Sequence, residues 1–470
     1  MKNTIRYEGL PHTESNVINI ERLLFYKAKE KHIKPKVKIS NTLSLQIIDH
    51  IKNFLAQDRY RSLIRDSFGN TNKQEQLREV LFSHVSSEEF LTSYSSLITD
   101  YSLDQVADAL VEKIAGIGVL QSLTEIPTVT DIKCINWDSI WVDDIEKGQY
   151  KTDIRFESEQ DYIELCHRFA YASSKAFSPA RPSVNAMFPY MRVNIVGFDL
   201  SPKTSLSIRI ISKELRLTED YMIQTGYANK EMVELLKRTF ATEAHLISGA
   251  TGTGKTELLR YFTRYCKADS NIIMIEDTPE TYLDEIYEDF PFAINMWKNR
   301  EASDDSKKEY GYSYHIRNAM RQNPDYIFLQ ESLGKESADV LKATETGHIV
   351  NTTLHASSAL NAVQRFISLC QESYNHSAEY YGRRIVTGFK IGIHTKRFGA
   401  VRKINQIVEY VSFEDGQVKG NVLFEYDPIS QRHIQKDKMS LELWNNLLEE
   451  HHDLDSIQAL APLEMSVSIN

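Results

Sequence analysis

Apolar residues recur at Leu43, Ile47, Ile51, Phe54 and Leu55, one face of a 3.6-residue period, and the stretch from about 41 to 125 continues in that helical pattern. Between about 126 and 215 the texture changes to short β-rich runs such as Asp131-Ile132-Lys133-Cys134-Ile135-Asn136 and Ser205-Leu206-Ser207-Ile208-Arg209-Ile210-Ile211, with one helical stretch near 159–174. That change predicts a separate α+β domain. From about 226 onward, apolar runs at 244–248, 271–276, 325–331 and 348–354 are each separated by a segment of helix length. This spacing predicts mainly parallel strands with right-handed crossovers, and ligand sites then lie at the carboxyl ends of the strands. Residues 299–311, NREASDDSKKEYG, have no apolar period and are expected to form an exposed loop. After about 425 one short helix, Leu441 to Glu450, is predicted. The expected fold class is α/β: a helical N-terminal extension at 1–110, a smaller α+β domain at 115–220, a phosphate-loop domain at 226–425 and a tail at 426–470.

At 470 residues the chain is long enough for about three domains with their own cores. Its net charge of −10 argues against a general nucleic-acid coat protein, because phosphate affinity is mostly a Lys/Arg counterion effect, so no stable direct nucleic-acid binding is expected. One segment runs against the overall balance. Residues 22–38, RLLFYKAKEKHIKPKVK, hold seven Lys/Arg against the single acid Glu30, which fits either a solvated arm or a contact with anionic lipid. The four cysteines, Cys134, Cys166, Cys266 and Cys370, form no C-x-x-C pair and read as reduced thiols of a cytosolic protein. The start, MKNTIRYEGLPHTES, lacks the apolar core of a signal peptide, and nowhere do 18 apolar residues run together. Any membrane contact is therefore expected to be peripheral.

Candidate chemistry begins where the run Ala244 to Ser248 leads into Gly249-Ala250-Thr251-Gly252-Thr253-Gly254-Lys255-Thr256, which fits G-x-x-x-x-G-K-[ST] at every fixed position. The glycines let successive backbone N–H groups turn toward phosphate oxygens, Lys255 adds a positive charge near the outer phosphates, and the Thr256 hydroxyl suits Mg²⁺. The motif has the neighbours it requires, an extended apolar run before it and the helical pattern from Glu257 to Phe262 after it. ATP and Mg²⁺ are thus the expected ligands. Phosphoryl transfer to water also needs a water-positioning group and cationic stabilisation. Three strand ends offer polar groups: Glu276 in Ile275-Glu276-Asp277-Thr278-Pro279-Glu280, Glu331 after Asp325-Tyr326-Ile327-Phe328-Leu329-Gln330, and His355 in Thr352-Thr353-Leu354-His355-Ala356. A carboxylate directly after an apolar strand, as Glu331 is, delivers an acid to Mg²⁺ or to the attacking water.

These boxes, in the order GATGTGKT, IEDTPE, DYIFLQES and GHIVNTTLHASSALNAVQRF, resemble the type II/type IV secretion-system ATPases over roughly 115–425. The entry AMRQNPD to the third box and the segments GVLQSLTEIPTVTDIKCINWDSIWV, MRVNIV and SIRII upstream are similar to the same family. The resemblance implies a RecA-like ATPase domain preceded by the family's α+β domain, and a homohexameric ring that couples ATP hydrolysis to pilin, protein or DNA transport. It implies a cytoplasmic location at the inner face of a membrane, an inner-membrane platform protein as partner, and a pilin-like or secreted substrate. It places Arg192 and Arg209 near the nucleotide, His355 as a sensor of the phosphate end, and Glu276 and Glu331 at metal and water. The tetracysteine zinc segment of many pilus-extension motors is absent, which brings the likeness nearer to the motors of Flp-type (tight-adherence) pili and of type IV secretion. Two positions depart from the family pattern. Leu333 stands where an arginine is usual, and Glu257 where a second threonine is usual. The first suggests an alternative, a nucleotide-binding scaffold of the same kind of machine that scarcely hydrolyses.

Overall fold

The computed structural model describes residues 43–300, 310–399 and 401–463. The basic stretch at 22–38 and most of the polar insertion at 299–311 lie outside the described residues.

The chain divides into two compact units, Met1–Gly118 and Val119–Asn470. In the first, helices run over Leu45–Leu55, Asp58–Ser67, Thr71–Val85, Glu88–Tyr94 and Leu103–Ala115. The expected apolar face is buried at Ile47, Ile51 and Leu55, and Ser44 caps that helix by accepting from Gln46 N at 3.2 Å. Ser102 and Gln105 start the last helix with a reciprocal capping box.

The second unit holds two sheets. Strands β1 (Val129–Asn136), β2 (Ser139–Asp144), β3 (Gly148–Lys151), β4 (Ser183–Phe188), β5 (Met191–Val196) and β6 (Ser205–Ile210) form an antiparallel sheet in the order β3-β2-β1-β6-β5-β4. The helix Glu159–Ala172 buries Tyr162, Leu165, Cys166 and Phe169. Register in this sheet matters for the site, because Asp131 on β1 stands opposite Arg209 on β6, which in turn stands opposite Arg192 on β5. Directly opposed residues share a face, so one acid and two arginines form a row across three strands.

The larger sheet contains β7 (His245–Gly249), β8 (Asn271–Glu276), β9 (Ala293–Lys298), β10 (Tyr326–Leu329), β11 (Ile349–Leu354), β12 (Ile391–Phe398), β13 (Val401–Glu414), β14 (Gln417–Asp427) and β15 (Arg432–Gln435). Its order is β15-β14-β13-β12-β7-β11-β10-β8-β9, parallel from β12 through β9 and antiparallel beyond β12. Both faces are covered, which is why β8 and β10 read as apolar runs, Ile272-Ile273-Met274-Ile275 and Tyr326-Ile327-Phe328-Leu329. On β8, Ile272 and Met274 pack with the helices Lys230–Thr242 and Lys255–Phe262, while Ile273 and Ile275 pack with Tyr312–Ala319, Ser337–Glu345 and Ala359–Gln371. The expected C-terminal helix is present at Leu441–His451. Its Leu443, Trp444 and Leu447, together with Leu454, Ile457 and Leu460, complete the first of these cores.

Candidate functional site

The chain leaves β7 at Gly249 and enters the helix Lys255–Phe262 through the predicted phosphate loop. Two of its glycines are required for different reasons. A Cβ at Gly249 would come within 2.5 Å of the Thr395 carbonyl and 2.6 Å of Thr253 Oγ1, so strand β12 approaches too closely for any side chain. Gly254 has φ 94°, a left-handed conformation disfavoured for L side chains, with the nearest neighbours of a Cβ 3.7 Å away. The backbone angle, more than a shortage of room within the protein, selects glycine there. Thr253 Oγ1 donates to the Ala250 carbonyl at 2.8 Å and lies 2.9 Å from Thr395 Oγ1, tying the loop to β12.

Lys255 is 8% exposed, and its Nζ donates to the carbonyls of Gly249 at 3.0 Å and Ala250 at 3.1 Å. Burial pushes this ammonium below its ordinary value, while Glu331 acts the other way. His355 follows β11, with Nδ1 at 3.0 Å from the Gly249 carbonyl and 3.4 Å from Lys255 Nζ. Its Nε2 lies 2.8 Å from Glu331 Oε1. That approach is off the line an N–H would take, so the buried Oε1 has no aligned hydrogen-bond donor. Gln330, Glu331 and Ser332 are fixed from the neighbouring strands: Gln330 N donates to the Ile275 carbonyl at 2.9 Å and Ser332 N to the Thr353 carbonyl at 2.8 Å. Where the family pattern has arginine, Leu333 is 52% exposed, and the turn is held instead by Glu336, which accepts from Leu333 N at 2.6 Å and Gly334 N at 2.8 Å.

One cavity of about 510 Å³ joins these groups; its walls include Thr251 to Thr256 of the loop, with Glu331, His355 and Arg209. Gly249 and Ala250 are not part of that wall, but they contribute the carbonyls that hold Lys255. Two of the sequence-predicted residues fall elsewhere. Arg192 is outside the lining and reaches it through Glu280, whose Oε1 is 3.6 Å from Arg192 Nη1 and 4.0 Å from Arg209 Nη1. Glu276 is 2% exposed and turned away, accepting from Glu280 N at 3.1 Å and Thr281 N at 2.8 Å. The acid that this box presents to the cavity is Glu280. Glu276 instead shapes the loop that carries Glu280. On the far side of that loop Tyr282 stacks on Tyr190, with ring centroids 4.4 Å apart, and its OH accepts from Tyr190 N at 3.0 Å. The β4–β5 turn is thereby joined to the acidic loop.

Burial lifts the Glu276 carboxyl to about 7, against the downward pull of the two N–H groups. In the unfolded chain a glutamate ionises near 4.3, so between there and about 7 the folded protein binds the extra proton. Stability from this group is therefore present at acidic pH and lost as pH rises through that window, by at most about 4 kcal/mol. Glu276→Gln is expected to flatten the fall in denaturant-unfolding free energy between pH 5 and 7.5. An unchanged slope would show that Glu276 does not carry it.

Sequence reasoning missed several wall residues. Arg402 Nε donates to the Gly252 carbonyl at 2.6 Å, Arg397 Nη1 lies 3.4 Å from Asp143 Oδ1, and Arg216 and Tyr227 line the same space. Glu280 had a visible signal, being the second glutamate of its box. Arg397 and Arg402 had none, since they reach the loop only because β12 pairs with β7.

Residues 182–387 match the family model described as Type II/IV secretion system protein. An uncharacterized protein of Bacillus anthracis is 26% identical over 412 residues, covering 83% of this chain and 89% of that protein. The type IV secretion system protein VirB11 of Bartonella quintana is 29% identical over 217 residues, covering 46% and 55%. Among solved structures, the pilus retraction motor PilT with bound ADP superimposes with a TM-score of 0.43 at 17% identity, covering 73% of this chain and 88% of that one.

Proposed function

Since this chain, through residues 182–387, belongs to the type II/type IV secretion-system ATPases, we propose that it hydrolyses ATP as the motor of a secretion or pilus-assembly machine. The observation that carries this reading is the convergence of Lys255, Glu331 and His355 on one cavity at the mouth of the phosphate loop. Loop N–H groups and Lys255 bind the phosphates, the ammonium exchanging its two loop carbonyls for phosphate oxygens. His355 follows the terminal phosphate, and Glu331 orients the attacking water and accepts its proton. Glu276 acts at one remove, by holding the loop of Glu280.

The residues present fit Mg²⁺: Thr256 lines the cavity, and the Glu331 Oε1 atom is buried without an aligned donor. The ion would screen the phosphate charge and polarise the terminal phosphoryl group. Among the described residues no three His, Cys, Asp or Glu side chains gather at a metal site, so Thr256, Glu331 and the nucleotide's own oxygens would hold it.

By family likeness the motor is a homohexamer whose α+β domain at 115–220 closes over the RecA-like domain at 226–425, working on a pilin-like or secreted substrate through a membrane platform protein. Among the described residues no helix is long and apolar enough to cross a membrane, which is consistent with peripheral attachment. Closure requires Arg209 to give up Asp131, 3.0 Å away, and both arginines to leave Glu280 for phosphate oxygens. Arg209→Ala and Arg192→Ala are each expected to lower turnover at least about tenfold with unchanged melting, a smaller factor than the largest arginine effects in nucleotide hydrolases. Parent-like turnover in both would leave them as surface charges. Mg²⁺-dependent phosphate release from ATP by the purified chain tests the reading as a whole. Nucleotide binding with no release above background would favour the scaffold alternative.

A further inference from the structure

The cavity wall carries seven lysines and arginines against five carboxylates. Several of those cations are matched, Arg209 by Asp131, Arg260 by Glu257 and Arg397 by Asp143. Arg216 is not. Among the described residues no carboxylate oxygen lies within 4.0 Å of its guanidinium, whose Nη2 donates to the Val129 carbonyl at 3.2 Å and whose buried Nε has no hydrogen-bond partner. Burial pushes this guanidinium below its ordinary value. Glu257 offsets that in part, while Arg260 and Arg402 add to it. No carboxylate therefore pairs with this guanidinium, although Glu257 and Asp131 are near enough to offset part of the effect of burial.

The backbone fixes which part of a nucleotide would pair with Arg216. Arg216 N donates to Glu257 Oε2 at 3.2 Å, so the linker after β6 is seated on the first turn of the phosphate-loop helix. Lys255 turns back toward Gly249, Ala250 and His355. Glu257, two residues later and about 200° further round the helix, leaves on the other side. Its charge is taken up by Arg260, which is 1% exposed and also donates to the carbonyls of Thr281 at 3.0 Å and Ser212 at 2.9 Å. A nucleotide whose terminal phosphate faces Lys255, His355 and Glu331 thus turns the inner end of its phosphate chain toward Glu257 and Arg216.

We propose that Arg216 is a nucleotide-binding residue that contacts the inner phosphates common to ATP and ADP. The assignment rests on the cavity being a nucleoside-triphosphate site, and it adds to the motif arginines a third one carried on the interdomain linker. Because the contact lies away from the phosphoryl group that leaves, it strengthens binding of both nucleotides and leaves the chemical step alone. Losing one charge-assisted hydrogen bond to phosphate corresponds to about a tenfold weaker affinity.

The test titrates the full chain with MgADP and with a non-hydrolysable ATP analogue, comparing the parent with Arg216→Gln, Arg216→Lys and Lys255→Ala. Arg216→Gln keeps a donor for the Val129 carbonyl and removes the charge. The expected result is a loss of about tenfold for both ligands, a flatter dependence on ionic strength, unchanged melting without nucleotide, turnover at saturating ATP within about twofold of the parent, and partial recovery in Arg216→Lys. Parent-like affinity in Arg216→Gln, with or without a lower melting temperature, overturns the assignment; if Lys255→Ala still loses binding, the nucleotide reading stands without Arg216. A loss confined to the ATP analogue overturns the placement at the inner phosphates. A parent that binds neither ligand overturns both.

Discussion

Lys255→Ala is expected to weaken ATP binding by at least about 10²-fold and to remove measurable hydrolysis, because the lost ammonium makes charge-assisted contacts to more than one phosphate oxygen. The folded state should tolerate the change. What the side chain holds in the protein is two loop carbonyls, Gly249 and Ala250, beside a cavity from which water can replace it. Burial pushes the ammonium below its ordinary value and Glu331 opposes that shift, so an anionic ligand adds to what Glu331 already supplies. Thermal melting of the variant without nucleotide should therefore lie within a few degrees of the parent, with the parent alone gaining stability on adding MgATP. Equal ligand-induced stabilisation of the two proteins would show that phosphate is bound elsewhere.

Glu331→Gln should separate binding from chemistry. The amide keeps the size and the position after β10, but it cannot accept a proton from water and carries no charge for Mg²⁺. Its neighbours are backbone-fixed through Gln330 and Ser332, so the exchange leaves the strand end in place. Turnover is expected to fall by about 10²–10⁴, the range for losing a general base, while affinity for ATP stays within about threefold. Rapid-quench measurement of the single-turnover rate checks this directly. A rate equal to the parent's would move the role to Glu280, the carboxylate that the acidic box presents to the cavity, and Glu280→Gln would then show the loss.

The parts of this site that were legible in the sequence are those in which local backbone and chemistry coincide. The phosphate loop announces itself because its glycines are required by its own conformation and by the approach of one neighbour, both visible at Gly249 and Gly254. The strand ends at 276 and 331 stand out because β8 and β10, covered on both faces, run Ile272-Ile273-Met274-Ile275 and Tyr326-Ile327-Phe328-Leu329 before them, whereas His355 follows a strand that already holds Asn351, Thr352 and Thr353. Which carboxylate enters the cavity was a different matter. Glu276 is the last residue of β8 and turns back to cap its own loop, whereas Glu331 lies two residues past β10 and Glu280 four past β8, distances at which the chain has already turned. Strand alternation gives no warning of that rotation.

The far wall was invisible for a topological reason. Arg397 and Arg402 belong to β12 and β13, and they border the loop only through the order in which the strands assemble. Those strands were themselves hard to see, since bulges near Tyr410 and Ile407 break the period of two that a half-covered strand would show. The residues after 425 look like a tail because their apolar positions are sparse, yet Trp444 and Ile457 close a core that reaches back to Met232, Leu236 and Phe240.

The claim that everything else depends on is that the cavity above Lys255 is a nucleoside-triphosphate site. Its most direct test is an equilibrium calorimetric titration of the purified chain with a non-hydrolysable ATP analogue and Mg²⁺, run against the same titration in EDTA. The account predicts one binding event per chain at micromolar ligand, weakened when Mg²⁺ is withheld. No heat of binding up to millimolar ligand, from a protein that melts cooperatively, would contradict it.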